Sequence, residues 1–353
     1  MFYPLKFKPV YKDYIWGGRN LETFGKELPE GIVAESWEIS CHPNGISVIA
    51  NGEFAGTPLT DYIAKFGRQA VGTALPEKDL IKFPLLVKLI DANQKLSVQV
   101  HPDDAYAQIH EHGELGKNEM WHILAAQPGA KLVYDVVPGV TRESFAAAVR
   151  EQRIENCLKS IEVAAGDTVN IPAGLVHAIG EGIVLAEIQQ NSDTTYRVYD
   201  YERVDKNGNK RPLHIEKALE VIDFNAAGRS DKIAGLTIAL GPDAVKRHLV
   251  ANRYFSVELY TIHGEVAENA AGSKFFLYII TEGAGEIRCG NRITPLQRGE
   301  SVLIPASLGE YTLQGGFKAL KAYVPDLERE VIGPLRRAGY GETEIYAKVS
   351  GLR

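Results

Sequence analysis

Gln99-Val100-His101 sets an amide oxygen and an imidazole two residues apart. On an extended strand, residues i and i+2 share a face. The two side chains would therefore stand together, while Val98 and Val100 turn the other way into a sheet interface. Glu119 follows His101 by 18 residues, at the start of another apolar run. His177 comes 11 residues after Gly166, at the mouth of a later hairpin. Strands of one small barrel can turn all four inward. An amide oxygen, a carboxylate oxygen and two imidazole nitrogens suit a divalent ion, zinc first. Mn²⁺, Fe²⁺ and Co²⁺ also accept such a set. With a single anionic ligand, the ion would keep enough positive charge to polarise a bound oxygen. The reading depends on convergence, because a strand histidine is also an ordinary packed residue. His110 and His112 lie on a polar stretch, and His122 faces away if Glu119 and Trp121 face in.

The elements that must position these groups read mostly as strands. Short strands and turns fill 1–60, with AESWEIS (34–40) alternating and HPNG (42–45) marking a turn. FPLLVKLIDANQKLSVQVHP (83–102) gives two apolar strands around DANQ, the second ended by Pro102. Strands return from Glu119 to Val136, at 161–190 and at 254–324. Helices are predicted over 57–72, 102–112, 141–160 and 214–222, with another near 327–332. In 57–72 the capping candidates are Thr60 and Asp61. In 141–160 the residues Phe145, Val149, Ile154 and Leu158 share a face.

GDTVNIPAGLVHAIG (166–180) aligns without gaps to GESVLIPASLGEYTL (299–313). The glycine permits a bend, and the proline sits where a ladder donor is not needed. The repeated unit resembles the cupin, a double-sheet barrel of the jelly-roll type. The expected fold is thus mainly β, two cupin-type jelly-roll barrels with a few inserted helices. The expected division is 1–240 and 241–353. Glu310 stands where the first copy has His177, and no Gln-x-His precedes it, so the second barrel is expected to lack metal ligands.

A chain of 353 residues has the length of about two domains. Its 45% hydrophobic and 24% charged residues exclude disorder as the main state. A net charge of −6 argues against a general nucleic-acid binder. No apolar run reaches the ~18 residues of a membrane helix. Pro4, Lys6, Lys8 and Pro9 interrupt any signal-peptide pattern. Cys41, Cys157 and Cys289 are far apart and form no CxxC, which points to neither a disulfide framework nor a zinc knuckle. The expected location is the cytoplasm.

Several segments together carry a family likeness: PVYKDYIWGG (9–18), AESWEISCHPNG (34–45), FPLLVKLIDANQKLSVQVHPDD (83–104), GKNEMWHIL (116–124), IPAGLVHAIG (171–180) and EIQQNSDTTYRVYDY (187–201). In that order they resemble the short bacterial class of type I mannose-6-phosphate isomerases over nearly the whole chain. The resemblance implies one Zn²⁺ per chain, held by Gln99, His101, Glu119 and His177. It implies an active-site Arg197, active-site lysines at Lys88 and Lys117, and Glu187 and Asp193 close by. The implied reaction interconverts mannose 6-phosphate and fructose 6-phosphate through a cis-enediol. In that reaction Glu187 is the leading base and a metal-bound hydroxide the second choice. Arg197 would stabilise charge, and Lys117, Ser97 and Lys88 would hold phosphate or hydroxyls. The implied partner is a small sugar phosphate, with no nucleic acid or membrane, for a monomer or homodimer. Longer relatives carry His-Lys-Pro-Glu where this chain has Gly116-Lys117-Asn118-Glu119, so a role for that histidine does not transfer. Two alternatives stay open at this point: an Fe²⁺-dependent cupin oxygenase, and a non-catalytic sugar-phosphate-binding cupin.

Overall fold

Leu85–Ala92 is buried along its whole length, with Val87 and Leu89 on one face and Lys88 and Ile90 on the other. A strand buried on both faces needs a layer on each side, and this one has them. The computed structural model of the chain describes residues 2–204, 207–225 and 232–352. Its first 13 strands are β1 (Leu5–Lys8), β2 (Val10–Lys12), β3 (Glu35–Ile39), β4 (Val48–Ile49), β5 (Leu85–Ala92), β6 (Val98–Val100), β7 (Glu119–Ala126), β8 (Lys131–Val136), β9 (Leu158–Glu162), β10 (Thr168–Ile171), β11 (His177–Ile179), β12 (Ile183–Gln190) and β13 (Tyr196–Tyr199).

Two antiparallel sheets form the half that carries the ligand candidates. One runs β10-β7-β12-β5-β3-β2 and the other β13-β6-β11-β8-β9. Their inner faces meet in a core that includes Ile90, Trp121, Ile123, Leu132, Ile161, Val169, Ile171, Ile179 and Leu185. This is the double-sheet arrangement of a cupin. The segment between β5 and β6 carries the chain from one sheet to the other, which brings Lys88 and Gln99 to opposite walls of one interior.

The outer face of the six-stranded sheet (Val87, Leu89, Met120, Ala186, Ile188) packs on a third sheet through Val257, Leu259, Leu277, Ile279 and Leu320. The outer face of the five-stranded sheet is covered by helices. There Val98, Val100, Val176 and Val198 meet Phe145, Ala148, Ala218 and Ile222. The expected sheet interface behind Val98 and Val100 is therefore a helix-covered face. The third sheet has ten strands and includes β1 and β4 beside those of the C-terminal half. The expected division at 240/241 falls within the strand Leu236–Gly241, which pairs with Ala244–Ala251 of that sheet.

The expected helix over 57–72 breaks at Gly67 (φ 49°) into Leu59–Phe66 and Arg68–Val71. Pro58 is its N-cap, which leaves Thr60 and Asp61 inside the first turn. In the 102–112 segment the helix is Asp104–His110, capped by Asp103 accepting from the Tyr106 N–H at 2.9 Å. The expected helix over 141–160 stops at Arg150. Gln152 takes φ 55°, a short 3₁₀ turn follows at Ile154–Cys157, and Leu158 opens β9. Phe145, Val149, Ile154 and Leu158 do reach one core, but from three different elements. The expected 214–222 helix is Ile215–Val221, and Glu328–Ile332 is a helical turn of π type. No helix among the described residues is long and apolar enough to cross a membrane.

Both repeat glycines take left-handed backbone, φ 90° at Gly166 and 83° at Gly299. Val169 and Ile171 point into the first core, and Val302 and Ile304 into the second. A side chain at 166 would meet open space, whereas a Cβ at 299 would fall 1.9 Å from the Phe24 carbonyl oxygen. Gly166→Ala should thus cost about 1 kcal/mol, the backbone strain alone. Gly299→Ala should cost at least about 2 kcal/mol, because backbone must move as well. Urea denaturation of the two variants checks the order, and equal losses would refute it.

Candidate active site

The four ligand candidates sit where strands begin or end. Gln99 is the middle residue of β6, and His101 follows its last residue. Glu119 opens β7 and His177 opens β11. In register, His177 lies directly across from Gln99. The intervening loop is pinned by backbone bonds, Gly174 N–H to the His101 carbonyl at 3.0 Å and Lys117 N–H to that of Pro102 at 2.9 Å. Asn118 clamps the next position. Its amide donates to Gln190 Oε1 at 2.7 Å, and its Oδ1 accepts from the Ala173 N–H at 3.1 Å.

His101 Nε2 lies 3.3 Å from Glu119 Oε1, and His177 Nε2 lies 3.9 Å from Glu119 Oε2. The donor atoms of these three all lie within 4.8 Å of one another. The Gln99 amide is 3.3 Å from His177 Nε2. A half-turn of that amide presents Oε1, the atom a cation requires. His177 Nδ1 pairs with the Leu175 carbonyl oxygen at 2.8 Å, which fixes the ring and leaves Nε2 free to ligate. Both ring nitrogens of His101 and both oxygens of Glu119 are buried without a completed hydrogen bond. Buried polar atoms left in this way are costly unless something binds them. His101 Nε2 and the Glu119 oxygens, converging with the His177 and Gln99 donors, fit a divalent cation.

Electrostatics prepares the same outcome. Burial drives the His101 pKa down to about 3, with the Lys117 ammonium adding to the effect. Burial likewise lowers His177. Both rings are neutral at ordinary pH, as metal ligands must be. Burial alone would raise the Glu119 carboxyl, but Lys117 and His101 outweigh it and hold the group well below the usual range. Lys117 Nζ stands 2.9 Å from Glu119 Oε1.

Beside this cluster lies a cavity of about 300 Å³. Two cross-strand rows each contribute residues to its walls. On one sheet the row is Trp37, Lys88, Glu187 and Trp121. On the other it is Arg197, Gln99, His177 and Tyr134. Lys88, Ser97, Gln99, Lys117, Glu187, Asp193 and Arg197, scattered over 110 positions of sequence, all line this one space. His101, Glu119 and His177 are fully buried next to it.

Lys88 is buried, with Nζ 3.1 Å from Glu187 Oε1. Burial opposes its charge, but Glu187, Glu35 and Asp193 more than compensate and raise its pKa. Burial, reinforced by Glu119, raises Glu187 despite Lys88, while the Trp121 indole N–H donates to Glu187 Oε2 at 2.9 Å. Arg197 Nε donates to Ser97 Oγ at 3.2 Å, and Nη1 to the Pro212 carbonyl at 2.9 Å. Asp200, one possible ion-pair partner for Arg197, is instead held by Arg203 and Arg211. Asp193 accepts from the Asn44 amide at 2.9 Å.

Tyr14, Trp16, Glu35, Thr195 and Arg211 also line the cavity. Sequence reasoning did not select Glu35 or Arg211 as site residues. Glu35 could have been found, since it alternates with Trp37 on AESWEIS. Arg211 lies in an irregular segment and carries no periodic signal. His122 points away, as expected, and pairs with Thr168 Oγ1 at 2.9 Å. Tyr196 bonds to Glu111, and Tyr199 stacks near Tyr201, so both are structural aromatics. At Gly116 a Cβ would fall 2.4 Å from the backbone of Asp103 and Asp104, so this loop has no room for the histidine of longer relatives.

Known proteins resemble this chain over most of its length. The family model for the phosphomannose isomerase type I catalytic domain matches residues 4–127, and that for the mannose-6-phosphate isomerase cupin domain matches 245–324. Mannose-6-phosphate isomerase ManA of Bacillus subtilis (strain 168) is 40% identical over 312 residues, covering 88% of this chain and 96% of that one. The mannose-6-phosphate isomerase of Streptococcus mutans serotype c is 36% identical over 325 residues, covering 91% and 98%. A crystal structure of mannose 6-phosphate isomerase from Bacillus subtilis superposes with a TM-score of 0.82 at 34% identity, over 90% of this chain and 99% of the other. With a ligand cluster and cavity of this composition, and with relatives matching it along nearly their whole length, the chain belongs to the type I mannose-6-phosphate isomerase family.

Proposed function

We propose that this chain interconverts mannose 6-phosphate and fructose 6-phosphate, with Gln99, His101, Glu119 and His177 holding one Zn²⁺. The observation that carries the reading is the convergence of buried donor atoms of His101, Glu119 and His177, all within 4.8 Å of one another, beside a cavity lined by Lys88, Glu187, Arg197 and Asp193. Bound there, the ion would supply Lewis acidity at the sugar's carbonyl end. Residues 1–240 would form the catalytic unit, and 241–353 a scaffold without metal ligands. The setting is the cytoplasm.

The chain's own residues then divide the work. Glu187 is the base. It takes the proton from C2 of the open-chain aldose and returns it to C1 while the O2 hydroxyl proton passes to O1, so that no net proton or electron is exchanged. Its raised pKa favours this, because a carboxyl nearer neutrality both accepts and releases a proton readily. Arg197, steadied by Ser97 and the Pro212 carbonyl, directs a guanidinium at charge building on the enediol oxygens. Lys117, Lys88 and Ser97 bind phosphate or hydroxyl oxygens, and Asp193 orients the sugar. Trp16 and Trp121, both buried, keep bulk water from the reacting end.

A coupled assay on mannose 6-phosphate, with metal content determined on the same sample, is the direct test. Dialysis against a chelator should remove both metal and turnover, and Zn²⁺ should restore both. Undiminished turnover in metal-free protein would reject the metal's part. Oxygen uptake after Fe²⁺ loading would favour an oxygenase, and metal-loaded protein that binds the sugar phosphate without converting it would favour a sensor. Arg197→Ala should retain its metal and lose about 10²-fold in kcat. A fully active variant would make Arg197 structural.

A further inference from the structure

Lys88 has two carboxylate neighbours where one would neutralise it. Its Nζ lies 3.1 Å from Glu187 Oε1 and 3.6 Å from Glu35 Oε2. All three side chains are at most 11% exposed. Each carboxylate is held from behind by an indole N–H. Trp37 donates to Glu35 Oε2 at 2.6 Å, and Trp121 to Glu187 Oε2 at 2.9 Å. The ammonium therefore sits between two anchored anions on adjacent parts of one sheet wall.

We propose that Glu35 is the standing counter-ion of Lys88, a positioning residue that lets Glu187 change protonation state during turnover. The proposal rests on Glu187 being the base. Between taking the proton from C2 and returning it to C1, Glu187 is neutral. An ammonium buried in low dielectric cannot be left without an anion except at high cost. With Glu35 in place, Lys88 keeps a partner through the whole cycle. Without it, protonation of Glu187 would strip Lys88 of its nearest anion. The protonated carboxyl would then be penalised and Glu187 would become a weaker base.

The other charges facing this pair do not take over that task. Glu119, from β7, is committed to the cation cluster, and Lys117 to Glu119. Asp193 adds to the attraction on Lys88 less than Glu187 and Glu35 do. Its carboxylate is also engaged by Asn44.

Glu35→Gln tests the proposal, since the amide oxygen can still accept from Trp37. The kcat–pH profile, KM and metal content of the zinc-loaded full chain should be measured for E35Q, E35D and E187Q together. In E35Q, metal content should be unchanged and KM within about twofold, while kcat falls about tenfold. The acid limb of kcat reports protonation of the base. It should move to lower pH by about one unit, and E35D should bring it back toward the parent. If E35Q does not fold, E35N carries the same expectation. An inactive E187Q beside an E35Q whose acid limb has not moved would overturn the counter-ion role alone, whatever its kcat. An E187Q that retains parental kcat would overturn the base assignment, and this proposal with it.

Discussion

The charged groups of the interior between the two sheets are mostly buried, so each must find an opposite charge there. Glu35, Glu119, Glu187 and Asp193 stand against Lys88, Lys117, Arg197 and Arg211. The four anions match the four cations, and a divalent cation would leave the site positive. A phosphorylated sugar entering afterwards would meet a site short of anions. This alternation explains why groups that are rarely buried line one small cavity. Each carboxylate depresses the cost of a neighbouring ammonium, and each ammonium that of a carboxylate. Packing alone would not keep them there. The rows of partners across β3, β5, β12 and β7 do so because register fixes which side chains adjoin.

Much of this was legible from residue order. The Gln99/His101 pair at the end of a strand, Glu119 at a strand start and the repeated glycine–proline device correspond to what the structure contains, whereas His177, expected at a hairpin mouth, opens a strand paired with β6 and β8. These features were legible because strand periodicity is strict and glycine's left-handed backbone is local. Glu35 was harder to single out, since its importance comes from lying diagonally across a sheet from Lys88. Arg211 carried no signal, because its segment has no period. The helix expected over 141–160 misled for a physical reason: Phe145, Val149, Ile154 and Leu158 do share a core, but apolar spacing cannot tell one long helix from a helix, a turn and a strand packed on the same surface.

The second repeat shows what the first required. Its glycine and proline keep their positions, and Val302 and Ile304 fill the core as Val169 and Ile171 do. At the position of His177, however, Glu310 is exposed and the next residue, Tyr311, turns inward to pair with Tyr278 at 2.9 Å. The interior there holds Tyr260, Lys321 and Glu268 in a bonded set, with Tyr260 2.6 Å and Lys321 2.7 Å from Glu268. The same fold thus fills one interior with aromatic and paired charged side chains and gathers a His–Glu–His donor cluster in the other.

The strand Leu5–Lys8 carries a consequence for how the molecule is made. It pairs with Ser301–Ile304, with Leu5 opposite Leu303, and on its other side with Val48–Ile49. During synthesis this early segment must wait, one edge unpaired, until nearly 300 further residues have left the ribosome. Loop closure over that distance is slow to nucleate. The pairing thus joins the beginning of the chain to its C-terminal half. Truncation from the C-terminal side would leave a nascent edge open to wrong partners as well as removing a scaffold.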